Sequence, residues 1–267
     1  MKKPIGIFDS GVGGLTVYKA IREAFPEEDL VYFGDTARVP YGPKSSQTII
    51  DYSIQNSRFL LQRAIKILVV ACNTSSAVAI PALKRLTDIP IIGVIEPGAN
   101  QAIKRSPKLR IGIIGTEGTI RSEAYKTAIQ ALMPNSEVFS HACPLFVPLV
   151  EESWQQHHTT DLIVKEYLSY FDDLDIDTLV LGCTHYPLLR AAIQRAVGEH
   201  ITLVDSADAI AEYLKVLLPA EIDGTPGTNS FYVSDSEAKF SQIAARILGH
   251  EISRLKRVRL FESWFED

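Results

Sequence analysis

The chain has 267 residues, 46% of them hydrophobic, and a formal charge of −5 at neutral pH. That size and apolar content allow one large core or two modest ones and exclude a disordered chain, while the acidic balance argues against direct nucleic-acid binding. Three cysteines, an odd number without a Cys-x-x-Cys pair, point to free thiols and away from disulfides, zinc or dithiol redox chemistry.

The chain opens Met1-Lys2-Lys3-Pro4-Ile5-Gly6-Ile7-Phe8-Asp9, which reaches an acid before any signal-peptide core forms, and no later apolar run is long enough to span a bilayer. A cytoplasmic protein is expected. Four strand-like runs follow one another and then recur. Ile5 to Ser10 is answered by Ile111 to Thr116, and Leu30 to Asp35 by Glu137 to Ser140. Ile67 to Val70, leading to Cys72, is answered by Leu179 to Leu181, leading to Cys183. Ile91 to Glu96 is answered by Ile201 to Asp205. Between them, apolar residues recur with a period near 3.6 over Leu15 to Phe25, Ser46 to Arg63, Ser75 to Leu86, Ser122 to Leu132, Asp161 to Phe171 and Leu188 to Val197. A further helical pattern, Ala207 to Leu218, precedes a Pro- and Gly-rich loop over Pro219 to Asn229. A short strand at Phe231 to Val233 and a basic edge strand within Arg254 to Arg259 close the chain.

Strands alternating with helices predict parallel sheets covered on both faces and joined by right-handed crossovers. The expected α/β fold is therefore two similar doubly wound parallel-sheet domains related by a pseudo-repeat. The first comprises residues 1–98 and 208–267, and the second, 99–207, is inserted into it. The active site lies in the cleft between them, because open sheets of this kind bind ligands at the carboxyl ends of their strands.

Cys72 and Cys183 both end a buried strand and open a polar turn into a helix, Cys72-Asn73-Thr74-Ser75 and Cys183-Thr184-His185-Tyr186. A cysteine in such a turn can be merely a small buried hydrophobe. A matched pair with polar flanks favours chemistry, since helix N-termini and cationic neighbours generate thiolate. Cys143, in His141-Ala142-Cys143-Pro144, has no counterpart in the repeat and reads as structural. Asp9-Ser10-Gly11-Val12-Gly13-Gly14 fits neither a P-loop nor a dinucleotide fingerprint, so its glycines suit close approach to a small anion. Asp9 is a candidate proton partner for Cys72 or a helix cap, and His185 a candidate partner for Cys183. Pro40-Tyr41-Gly42 overhangs the first domain's active edge. One of Glu151 and Glu152 could face the cleft, whereas His157 and His158 read as solvent-exposed. Two thiols facing each other across a small polar cleft suit stereoinversion at carbon, in which one thiolate removes a proton and the opposite thiol delivers another.

Together, Gly6 to Gly14, Gly34-Asp35-Thr36-Ala37-Arg38-Val39-Pro40-Tyr41-Gly42, Ala71 to Thr74, Gly93 to Gly98, Cys143 to Leu149 and Gly182-Cys183-Thr184-His185-Tyr186-Pro187 resemble the glutamate racemase family over nearly the whole chain. The resemblance implies cofactor-independent interconversion of L- and D-glutamate, supplying D-glutamate for bacterial peptidoglycan. It implies that Cys183 deprotonates the L enantiomer and Cys72 the D enantiomer, with Asp9 assisting Cys72 and with His185 and Glu151 assisting Cys183. Substrate contacts map to Asp9, Ser10, Pro40, Tyr41, Gly42, Asn73, Thr74, Thr184 and His185. It further implies a homodimer and, because no long segment precedes Ile5, activity without a peptidoglycan-precursor activator. Aspartate remains an alternative substrate, and inhibition of DNA gyrase a possible second role that some members are reported to have. No pyridoxal phosphate lysine motif stands out.

Overall fold

The computed structural model describes residues 2–218 and 224–260. The part of the expected loop at 219–223 and the tail of the first predicted domain at 261–267 lie outside the described residues. β1 (Ile5–Asp9), β2 (Leu30–Gly34), β3 (Ile67–Val70) and β4 (Ile91–Gly93) pair in the order β2-β1-β3-β4. β5 (Arg110–Gly115), β6 (Glu137–Ala142), β7 (Thr178–Gly182) and β8 (Thr202–Asp205) repeat that order as β6-β5-β7-β8. The internal repeat is thus a repeat of topology. β9 (Asn229–Val233) and β10 (Leu255–Arg257) extend the first sheet beyond β2, making six strands against four, with the basic segment at the edge as expected. All the pairings are parallel. β1, β2, β3 and β7 are buried along their full length, which explains their near-continuous apolar sequence.

In each sheet the chain leaves the first strand to one side and returns to pair on its other side. A crevice therefore opens at the carboxyl ends of β1 and β3, and another at those of β5 and β7. Those four ends carry Asp9-Ser10, Cys72, Thr116 and Cys183.

Helices α1 (Leu15–Ala24) and α2 (Ser46–Leu61) form where periodicity places them, and Ser45 caps α2 by accepting from the Thr48 amide. The expected helix from Ser75 to Leu86 is instead two, α3 (Asn73–Val78) and α4 (Ile80–Lys84), broken at Ala79 just before Pro81, which cannot continue an α-helical ladder. α5 (Ile95–Arg105) was not foreseen. Its Pro97 stands in the first turn, where proline forfeits no helical hydrogen bond. α6 (Glu117–Arg121) precedes α7 (Ala124–Leu132), the two separated by Glu123 at φ 52°. α8 (Phe146–Glu151) was not foreseen either, and α9 (His158–Leu168) starts earlier than expected because His157 caps it. α10 (Arg190–Val197) follows a 3-10 turn at Tyr186–Leu189. α11 (Ser206–Leu217) is capped by Asp205, whose Oδ1 accepts from the amides of Ala207 and Asp208 at 3.1 Å each. α12 (Glu237–Leu248) was also missed, although Phe240, Ile243, Ala244, Ile247 and Leu248 carry the helical spacing.

The chain crosses between the two sheets through α5 and α11. Ile95, Ala99 and Ala102 of α5 pack with Ile111, Ile113 and Val180 of the second sheet, and Ile210 and Leu214 of α11 pack with Leu15 and Ile21 on the first. Among the described residues no helix is long and apolar enough to cross a membrane.

Candidate active site

Cys72 is the N-cap of α3 and is 4% exposed; Cys183 follows β7 and is 6% exposed. Both line one cavity. Ser10, Asn73 and Thr74 join Cys72 on one side; Thr184, His185 and Thr116 join Cys183 on the other; Val39, Pro40, Tyr41, Gly42 and Val147 complete the lining. The cavity measures about 20 Å³, room for a water and not for an amino acid, so a ligand of that size enters only if the two walls part.

The walls are bonded across the cleft. Thr74 Oγ1 on the first sheet's edge lies 2.8 Å from Thr116 Oγ1 on the second, and Thr184 Oγ1 donates to Asp9 Oδ1 at 3.3 Å. Gly118 N donates to Gly42 O at 2.9 Å. The glycines of the first turn serve this contact. A Cβ on Gly13 would stand 2.4 Å from both His185 Nδ1 and Thr184 Oγ1, so the glycine lets the opposite wall approach. A Cβ on Gly14 would meet the Asp9 side chain at 2.4 Å.

The Cys72 thiol donates to Ser10 Oγ at 3.7 Å. Its burial, reinforced by the negative charge of Asp9, pushes its pKa up to about 11 in spite of hydrogen bonds from Ser75 and Ser10. Asp9 is fully buried but does not line the cavity; Gly11 N and Thr184 hold its carboxylate behind Ser10. On the other wall, Cys183 Sγ lies 3.9 Å from His185 Nδ1, and His185 Nε2 lies 3.3 Å from Glu151 Oε1. Burial opposes a charge on His185, but its hydrogen bonds to Cys183 and Glu151 and their negative charges outweigh that penalty and push its pKa up to about 10. Burial works against the charge on Glu151, but the hydrogen bond and positive charge of the same histidine, with Lys239, hold its carboxyl below the usual carboxylate range. Glu151 too stands outside the cavity lining, behind His185, whereas Glu152 is exposed beside Lys239.

Tyr41 is positioned from behind. Its hydroxyl donates to the buried Asp35, which also accepts from Arg38 Nε at 2.6 Å and Ser234 Oγ at 2.9 Å. Cys143 is fully buried away from the cavity, and burial raises its thiol pKa strongly; His157 and His158 are exposed. Thr116 was not singled out from sequence, nor were Val39 and Val147. The repeat carries the signal for Thr116, since Ile111 to Thr116 answers Ile5 to Ser10 and places Thr116 opposite Ser10.

A family model described as Asp/Glu/hydantoin racemase matches residues 5–214. The chain belongs to this racemase family. Within it, the chain is 50% identical over 262 residues to the glutamate racemase of Geobacter metallireducens, covering 97% of each. Its fold is similar to that of a glutamate racemase isoform from Bacillus anthracis, with a TM-score of 0.93, 41% identity and coverage of 97% and 98% of the two chains. It is also similar to the Francisella tularensis glutamate racemase in complex with D-glutamate, with a TM-score of 0.91, 38% identity and the same coverage.

Proposed function

We propose that this member of the family is a two-base racemase interconverting L- and D-glutamate without a cofactor. The observation that carries the reading is the placement of Cys72 and Cys183 on facing walls of one buried cavity, each at the crevice of its own sheet. The Cys183 thiolate takes the Cα proton of L-glutamate, the electron pair of the broken C–H bond stays on carbon, and the Cys72 thiol delivers its proton to the opposite face. Turnover leaves Cys183 protonated and Cys72 as thiolate, the form that accepts D-glutamate. Asp9 assists proton movement at Cys72; His185, backed by Glu151, assists at Cys183.

The Cα proton beside a carboxylate is a very weak acid, so fixed donors must meet the charge that develops on that carboxylate. Asn73 supports this role: it is 2% exposed, it lines the cavity, and its Nδ2 has no hydrogen-bond partner. Thr74 and Thr184 supply hydroxyls beside it, and Ser10, Pro40, Tyr41 and Gly42 complete the substrate contacts. The reading extends to a cytoplasmic homodimer that supplies D-glutamate to peptidoglycan. A gyrase-binding role would not need the thiols, and a supercoiling assay with a double cysteine variant would isolate it.

The test is incubation with L-glutamate in deuterium oxide without added cofactor. Exchange at Cα with loss of optical rotation is expected. Exchange and inversion with aspartate alone would move the substrate assignment, and neither signal with either amino acid would end the racemase reading.

A further inference from the structure

Asn73 lines the cavity with its amino group unpartnered, and its other end shows what fixes the amide. Asn73 Oδ1 accepts from Tyr125 Oη at 2.8 Å and from Ser206 Oγ at 3.0 Å, and those two hydroxyls are 3.3 Å apart. Neither Tyr125 nor Ser206 lines the cavity. Two hydroxyl donors converging on one oxygen decide which way the amide faces. Turned over, Asn73 would offer a lone pair to an incoming carboxylate; held as it is, it offers two N–H donors. Burial raises the Tyr125 pKa strongly, so the hydroxyl keeps the proton it donates.

The slot around Tyr125 is built from two glycines. A Cβ on Gly98 of α5 would stand 3.0 Å from Tyr125 Cε1, and one on Gly182 would stand 3.2 Å from Cε2. Gly182 immediately precedes Cys183, and Asn73 immediately follows Cys72. One ring therefore abuts both thiol-bearing turns. Because α3 carries Asn73 on the edge of the first sheet and α7 carries Tyr125 beside the second, the clamp exists only while the two halves are together.

Resting on the glutamate reading above, we propose that Tyr125, together with Ser206, is a positioning residue that turns the Asn73 amide toward the substrate carboxylate and couples that orientation to closure of the cleft. The reaction then gains its carboxylate donor when the walls meet around the substrate, and not in the open form.

The test compares L-glutamate racemisation by the full-length wild type, Tyr125→Phe, Ser206→Ala, Asn73→Ala and the double variant Tyr125→Phe/Asn73→Ala, with melting curves as a check on the fold. Tyr125→Phe keeps the ring and is expected to lower kcat/KM roughly tenfold, the scale of one lost buried hydrogen bond. On the Asn73→Ala background the same change is expected to cost less than about twofold, because the group it orients is gone. Full activity in both Tyr125→Phe and Ser206→Ala overturns the proposal, and so does a tenfold loss that persists without the Asn73 amide. Should Tyr125→Phe fail to fold, the smaller change Ser206→Ala carries the same comparison on the two backgrounds. An inactive wild type would sink the glutamate reading and this inference with it, whereas an active wild type with silent variants sinks this inference alone.

Discussion

Cys72 and Cys183 stand at equivalent places in a duplicated fold, but the residues behind the two sulfurs have diverged. In the repeat, Cys72-Asn73-Thr74 answers Cys183-Thr184-His185, and Asp9-Ser10 answers Gly115-Thr116. The first wall has an acid where the second has glycine, and the second has a histidine where the first has threonine. The consequence is electrostatic. Burial and the Asp9 charge push the Cys72 thiol up to about 11, which keeps it protonated, while at Cys183 a histidine pushed up to about 10 carries a positive charge beside the sulfur. Duplication fixes where the thiols are; the unmatched neighbours decide where the protons rest. The structure thereby holds a protonated thiol on one wall and sets a histidine cation beside the sulfur on the other.

The strongest way to break this comparison is to remove one sulfur at a time. Cys72→Ala and Cys183→Ala are each expected to lower racemisation by at least about 10⁴-fold, the upper range for a positioned acid or base. Residual Cα exchange in deuterium oxide sharpens it: Cys72→Ala should exchange only L-glutamate and Cys183→Ala only D-glutamate, each without inversion. Exchange of both enantiomers by either variant would show that the walls are not specialised.

A second prediction uses pH. The pKa of His185 is raised from 6.5 to about 10 in the folded protein, so the folded state binds its proton more tightly than the unfolded one. The resulting stability is fully present below pH 6.5 and is lost as pH rises toward 10. Cys72, raised from 9.0 to about 11, adds a loss of the same sign only above pH 9. Urea midpoints should therefore fall between pH 6.5 and 9 in the wild type and stay flatter in His185→Asn. In Glu151→Gln, which loses one source of the shift, the fall should be complete at lower pH. An identical profile in all three proteins would remove the histidine from the account of the Cys183 wall.

The smallest effect belongs to the third cysteine. Cys143→Ala should keep racemisation within about twofold of wild type and cost on the order of 1 kcal/mol in stability through lost packing, read from denaturant midpoints. A large loss of turnover would bring Cys143 into the chemistry and end the two-wall picture.

Much of this arrangement was legible in the sequence because buried parallel strands are short, apolar and punctuated by polar turns. The eight repeated strands, the sheet edge at Leu255–Arg257 and the two thiols at strand ends all rest on that signal. What escaped depended on contacts between distant segments. Gly98 clears space for Tyr125, which comes from α7. Asp9 and Glu151 read as cleft carboxylates, but Thr184 and Gly11 draw the first behind Ser10 and His185 takes the second outside the lining. Gly13 looks like an anion-binding glycine until Thr184 and His185 are brought against it by the other half of the molecule. Neighbours in sequence set the strands, and the meeting of two sheets sets the roles of the side chains between them.

The unequal walls carry a thermodynamic consequence for the proposed reaction. L- and D-glutamate are mirror images with equal free energies in water, so their equilibrium constant is one, and kcat/KM must be the same in both directions whatever stands behind either sulfur. The histidine on one side and the aspartate on the other can therefore make kcat differ between the two directions only where KM differs by the same factor. At dilute substrate the two directions run at matched efficiency, and a directional bias emerges only as the site saturates. For a cell that drains D-glutamate, the chemistry behind the sulfurs sets the substrate concentration at which throughput levels off, and leaves the ratio of the two enantiomers to mass action.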